Sequence, residues 1–332
     1  MMRYLIILLI LWGGAAQAQR PDTVAAWYAL QTGKKQGEQG QLDSYLVKLD
    51  YAAATYKTYA EQLPPKKKWD ATRRLAWERH FDARGYYGWY LFRNKQGDSA
   101  LAVFGRGLED ASKLMGPTSK EVAWFYNAYA SYYHNKGQYA KSMEYHQKSL
   151  ELRLKTFGEA HFSVAYSYEA IGRAYHELGD YANAIKNHEK ALAIRLKING
   201  AQHTSVATSY NYMAQSYAQY GQHAQALTYY HKMLAINLAR YGEQHYEIAS
   251  VYHNIGDVYK QMGLYDQALN IQKKALAIFL SHASLPIDMS AANAYEYIGN
   301  TFLEKGEYDK ALDYYQKSLA MRLERTGEDH PD

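Results

Sequence analysis

The chain has 332 residues, with 38 Lys and Arg against 33 Asp and Glu and a formal net charge of +5. Its charges are interspersed, which argues against a nucleic-acid protein, whose binding face needs a basic stripe. With no cysteine, disulfides, thiolate metal sites and a lipid-modified cysteine anchor are excluded, while 35 tyrosines are the real compositional bias.

Met1 to Ala18 reads as a secretory signal. Arg3 supplies the positive end, Tyr4 to Trp12 the apolar run, and Ala16-Gln17-Ala18 a small-x-small cleavage site. The run is too short for a resident spanning helix, which wants about 20 residues. The expected address is therefore periplasmic or secreted, in a bacterium, with no stable membrane insertion after cleavage. An uncleaved anchor is the alternative.

Gln31 to Gln41 is rich in Gly, Gln and Lys and reads as a loop. Leu42 to Leu63 looks helical, and Pro64-Pro65 stops it. Lys66 to Asp70 then opens another helix carrying Arg73 and Arg74. Its basic run reads as a solvated helix start, or else as a patch for an anionic partner. Residues 19–82 are expected to form a helical N-terminal cap, or repeats eroded past recognition. Residues 83–121 read as a degenerate copy of the repeat that starts at Val122, with Gly97 in the turn role and Ala83 and Tyr86 at matching offsets.

From Val122 onward one pattern is written five times, over 122–332. Turn glycines stand at Gly137, Gly179, Gly221, Gly263 and Gly306, spaced 42 residues three times and then 43. A second series, Gly116, Gly158, Gly200 and Gly242, keeps the same 42-residue spacing. Before each turn glycine, small and aromatic residues recur at steps of three and four, which places them on one helical face. Tyr133, Tyr175, Tyr217, Tyr259 and Phe302 close that face. After the glycine, Tyr139, Tyr181, Tyr265 and Tyr308 are followed by a small residue and an aliphatic one. Each unit is therefore two antiparallel helices. The glycine ends the first helix in a left-handed cap, and the tyrosines are expected to fill the space between neighbouring units. Leu280 to Met289 breaks the linker rhythm, with Ser284 for the glycine and Pro286 inserted. Gly327 to Asp332 reads as a linker into a further repeat, which suggests a fragment of something longer.

This register of aromatic, small residue, Tyr, Gly, Tyr, Ala resembles the tetratricopeptide repeat. That family usually repeats at 34 residues. The longer linkers here, KTFGEAH, KINGAQH and ARYGEQH, resemble those of kinesin light chains and of many bacterial signalling proteins. The resemblance implies an all-α fold, a right-handed superhelical solenoid of antiparallel helix pairs. It also implies that first helices line a concave groove, where proteins of this kind hold peptides.

No catalytic motif of the familiar kinds is present, and neither a cofactor nor a metal is expected. His161, His203 and His245 share a linker position, but equivalent residues of stacked pairs lie about 20 Å apart, too far to share one ion. The groove residues expected from the register are Trp124, Asn127 and His134; Tyr166, Glu169 and Arg173; Asn211 and Gln215; His253 and Asp257; and Glu296 and Asn300. Trp124 and Tyr166 are the expected anchors, because aromatics dominate binding hot spots. The reading is a non-enzymatic scaffold that holds a protein or peptide. The alternative is the regulatory region of a larger enzyme, a CHAT-type caspase-like peptidase or a sensor kinase. An uncapped last helix would also leave an apolar face for self-association.

Overall fold

The computed structural model describes residues 53–58, 61, 71–93, 96–281 and 289–326. The signal, the loop at 31–41, most of the 42–63 helix, the Lys66–Asp70 run, most of the 280–289 break and the final linker lie outside these residues. Twelve long helices succeed one another: α1 (Ala71–Arg93), α2 (Gly97–Met115), α3 (Lys120–Asn135), α4 (Tyr139–Phe157), α5 (Phe162–Glu177), α6 (Tyr181–Asn199), α7 (Thr204–Gln219), α8 (His223–Tyr241), α9 (Tyr246–Gln261), α10 (Tyr265–Ser281), α11 (Ser290–Lys305) and α12 (Tyr308–Thr326). Residues 53–58 are helical as well, and no strand occurs among the described residues. Odd and even helices pair in sequence order, so the fold is all-α and built of tandem antiparallel helix pairs. The chain divides into two compact units at Thr156–Phe157.

The turn chemistry is as the spacing implies. Gly179 has φ 78°, its N–H donates to His176 O at 2.9 Å, and the next N–H, of Asp180, donates to Tyr175 O at 2.9 Å. These two bonds satisfy carbonyls left over at the end of α5. The linker glycine meets a different demand. Gly200 combines φ 77° with ψ 165°, a region that side chains exclude. The histidine three residues later then caps the next helix. His161, His203 and His245 each accept a hydrogen bond at Nδ1 from the backbone two residues on, at 3.2, 3.1 and 3.2 Å. Their repetition is a capping device. Met289, where the linker rhythm fails, makes no side-chain cap.

Gly97 departs from its expected role. It is the first residue of α2, behind Gln96 as N-cap, and the first pair begins at Ala71 rather than Ala83. The amide of Gln96 instead closes the turn on Leu91 O at 2.9 Å.

Close approach within each pair comes from a notch. Seven residues before the turn glycine stands Gly172, Gly256 or Gly299, and nine residues after it stands His188, Gln272 or Tyr315. A Cβ on these glycines would lie 2.6, 2.7 and 2.7 Å from those side chains. The glycine thus makes room for a bulky group that enters from the second helix. In two other pairs Ala130 and Ala214 stand at the notch, opposite His146 and Tyr230. The first unit repeats the device in its own register: Gly88 receives Phe104 and Gly107 receives Phe125. These two rings anchor its core, together with Trp77, Phe81 and Leu152.

The aromatic stations sit elsewhere than expected. Tyr133 stacks on Tyr145 at 5.5 Å and 8°, and Tyr217 on Tyr229 at 5.4 Å and 5°. Phe302 meets Tyr314 at 5.4 Å. All three contacts lie between the two helices of one pair, not between neighbouring pairs. Aliphatic and small residues make much of the joint between successive pairs, as where Leu192 and Ile236 pack with Val206 and Ala207, and at the same joint Tyr181 meets Tyr220 at 6.4 Å and His188 stacks on Tyr212 at 5.5 Å. Stacking needs a ring on both helices, and the ring eight residues past the glycine is supplied from inside the same pair.

Leu312 and Leu319 of α12 are 57% and 55% exposed, whereas Leu269 and Leu276, their counterparts in α10, are buried.

His188 gives this packing a pH signature. Burial above all, with His176, Arg173 and Arg195 nearby, pulls its pKa down to about 3. The unfolded ring titrates near 6.5, so between these values the unfolded state binds more protons and stability falls as pH falls. His188→Gln introduces the side chain already accommodated beside Gly256. Urea midpoints measured from pH 7 to pH 3 should fall less steeply for this variant. The difference in slope is at most about 1.4 kcal/mol per pH unit, and parallel curves would refute it.

Candidate functional site

In the second unit, α5, α7 and α9 leave a cleft of about 250 Å³ between them. His176 lines it from α5, Gln215 and Gln219 from α7, and His253, Asn254, Asp257 and Gln261 from α9, with Tyr230 of α8 beneath. Helical spacing brings these together. Gln215 and Asp257 stand six residues before their turn glycines, and Gln219 and Gln261 stand two before. They fall on one face because four residues make about one turn.

The cleft is cross-tied along its length. His176 Nδ1 and Ser216 Oγ are 3.1 Å apart, linking α5 to α7. Asn254 Nδ2 donates to Asn211 Oδ1 at 3.5 Å, linking α9 to α7. The rings of His253 and Tyr297 lie 4.0 Å apart, linking α9 to α11. Asp257 accepts from Gln261 Nε2 at 2.7 Å and lies 3.4 Å from Lys260 Nζ, which also reaches Glu304 at 3.2 Å.

The protonation states are set by burial. His176 and His253 are held below the usual imidazole range by desolvation, so both are neutral at pH 7. Burial, aided by the charge of Asp257, raises the Tyr230 phenol and keeps its proton in place. At neutral pH the cleft therefore offers carboxamides, two neutral imidazoles, a phenol donor and a single carboxylate.

Of the residues expected at the groove, Gln215, His253 and Asp257 line this cleft, and Asn211 braces it through Asn254. Tyr166 is exposed on α5. Arg173 is half-buried, its guanidinium 5.7 Å from the centre of the Tyr212 ring. Asn300 is taken up by the Tyr315 hydroxyl, which donates to its Oδ1 at 2.6 Å. In the first unit His134 packs edge-on against Tyr139 at 5.3 Å.

Four expected residues point elsewhere. Trp124 lies where Gly85 of α1 lacks a Cβ, which if present would stand 2.4 Å from the indole. It also packs edge-on to Phe125 at 5.1 Å, so it is core rather than an open anchor. Asn127 is buried, and its Oδ1 has no hydrogen-bond partner among the described residues. Glu169 is only 5% exposed and forms an ion pair with Arg195. Arg195 Nη1 also donates to Ser209 Oγ at 2.8 Å and Ser205 O at 3.1 Å. Glu296 makes the equivalent pairing at the surface, exposed and accepting from Arg322 Nη2 at 2.7 Å. At the position ten residues before the turn glycine, Glu169 and Glu296 therefore reach the second helix of their own pair, sixteen residues past that glycine, whereas Asn211 and His253 reach α9 and α11. On the second helix Glu169 meets Arg195, Glu296 meets Arg322, and the apolar Phe279 falls opposite His253.

Asn254 and Tyr230 were not anticipated. The signal for Tyr230 was present, since it shares a repeat position with His146 and His188. Asn254 had none, because its position holds Ala, Ala, Tyr, Asn and Tyr in successive copies.

Because Glu169 serves the fold, Glu169→Ala should act on stability rather than on recognition. It strands a buried guanidinium, at a cost of about 3–5 kcal/mol. Chemical denaturation reads this directly, and a loss under about 1 kcal/mol would mean that solvent reaches Arg195.

Comparisons with known proteins agree with this architecture. No curated protein sequence matches the chain. Among solved structures, the chain is similar to BtubC (BKLC) from P. vanneervenii, at 21% identity and TM-score 0.59, over 71% of this chain and 94% of that one. The apo form of RapI aligns at 17% identity and TM-score 0.62, over 90% and 97%. A Rap protein complexed with competence and sporulation factor aligns at 18% and 0.55, over 90% and 77%. At these identities the likeness is one of fold. The profiles described as Tetratricopeptide repeat match residues 121–197, 163–239, 205–281 and 291–332, more than half of the sequence. The chain belongs to the tetratricopeptide repeat family.

Proposed function

We propose that this protein is a non-enzymatic interaction scaffold, exported from a bacterial cytoplasm, that holds an extended peptide segment of a protein partner in the cleft formed by α5, α7 and α9. The observation that carries the reading is the composition of that cleft. Gln215, Gln219, Asn254 and Gln261 each present a donor and an acceptor, the pairing needed by the N–H and C=O groups of an extended backbone. Asp257 adds one negative charge, which favours a segment carrying Lys or Arg. Its carboxylate is engaged by Gln261 and Lys260 rather than by an imidazole, an arrangement suited to binding more than to proton transfer. The Rap protein complexed with competence and sporulation factor supports the idea that a fold of this kind serves to hold a binding partner. Export rests on the N-terminal sequence from Arg3 to Ala18. No helix among the described residues is long and apolar enough to cross a membrane.

A peptide array of extended decamers, probed with the wild type and with an Asn254→Ala, Asp257→Asn double variant, tests this reading. Wild type should select sequences enriched in basic residues, and the variant should lose at least tenfold in affinity with its helical circular dichroism unchanged. Indistinguishable binding by the two proteins would remove the cleft from consideration.

The exposed Leu312 and Leu319 support a second use of the chain, self-association through α12. Buried in the preceding pair, this face would gain about 25 cal/mol per Å² if it were covered. Sedimentation should show a dimer that Leu312→Lys, Leu319→Lys dissociates. A wild-type monomer at high concentration rules it out.

A further inference from the structure

The arginines of the second unit are treated unequally. Arg195 and Arg322 each meet a carboxylate, Glu169 and Glu296. Arg173, on α5, forms no ion pair among the described residues. Glu169, one turn before it, is committed to Arg195, and the exposed Glu177, one turn after it, does not bridge to it.

Arg173 is nonetheless firmly held. It is half-buried, its Nε is sealed from solvent without a hydrogen-bond partner, and its guanidinium lies 5.7 Å from the centre of the Tyr212 ring. The terminal Nη1 and Nη2 are not sealed in the same way, and they bond to nothing among the described residues. A guanidinium fixed by its stem and by a ring, with its fork open, is prepared for a carboxylate, which it can meet through two parallel bonds.

This cation borders the cleft. Arg173 and His176 stand three residues apart on one face of α5. Both reach α7, at Tyr212 and at Ser216 one turn further along. His176 lines the cleft, so the guanidinium lies one turn along the same seam. The far wall carries the opposite charge. Asp257 of α9 lines the cleft, and it shares Lys260 with Glu304 of α11, at 3.4 and 3.2 Å. Two carboxylates there face one ammonium. With α7 between them, α5 and α9 are two helix spacings apart, about 16–20 Å at 8–10 Å a step. An extended chain covers that span in about five or six residues, at about 3.3 Å each.

With the cleft taken as the peptide site, we propose that it selects an extended segment of mixed charge, in which an acidic side chain engages Arg173 and a basic one, about five or six residues away, lies against Asp257. The separation of the two charges, rather than the net charge, is what the cleft reads.

The probes are capped decapeptides of Ala and Ser, each made in both sequence orders. One carries Glu and Lys five residues apart, one carries the same pair side by side, and one has Gln in place of the Glu. Calorimetry on the full chain should find the first at least fivefold tighter than the other two. Arg173→Gln should erase that advantage and leave the Gln and Lys probe unchanged, with helical circular dichroism confirming the fold. Equal affinity of the three probes for the wild type, or an advantage that survives Arg173→Gln, would overturn the charge reading alone. Failure of every probe to bind the wild type would remove the cleft as a peptide site, and this inference with it. The wild-type comparison decides even if the variant does not fold.

Discussion

Three of the five in-register helix pairs depend on one steric exchange: a residue without a side chain on the first helix, and a bulky group from the second helix in the space it leaves. Gly172 with His188, Gly256 with Gln272 and Gly299 with Tyr315 are three chemically different solutions to one geometry. Glycine inside a helix costs about 1 kcal/mol relative to alanine. The contacts made by the incoming side chain, close-packed as protein interiors are, offset that cost. The exchange fixes how near the helices of those three pairs come.

Polar groups inside such a pair must find partners, because an unpaired buried charge is far costlier than a paired one. This explains why Glu169, ten residues before its turn glycine, is not free for recognition. Glu169 and Glu296 are committed to Arg195 and Arg322, and Arg195 reaches onward to Ser209 of the next pair. One buried ion pair thereby ties three helices. Polar residues six and two positions before the glycine, Gln215, Asp257, Gln219 and Gln261, remain to reach the cleft beside His176, His253 and Asn254.

The cleft of the second unit is rich in carboxamides that can donate and accept, which suits a backbone of repeating polarity.

The fold was legible because repetition does what alignment normally does. Five copies in register exposed the turn glycines, the small positions and the helix period, and a helix pair results from local chemistry alone. Which side of a helix faces its own partner, its neighbour or solvent was less so, since those faces differ by only one or two positions. The sequence could place Trp124 and Glu169 on a polar stripe, but not foresee that Gly85 would admit the indole or that Arg195 would reach the carboxylate. Those contacts join residues far apart in the chain, and they exist only once the pair has closed. Periodicity determined the helices, their turns and the family. Tertiary packing alone decided which polar side chains were consumed by the fold and which remained to bind, because that choice depends on partners contributed by another helix.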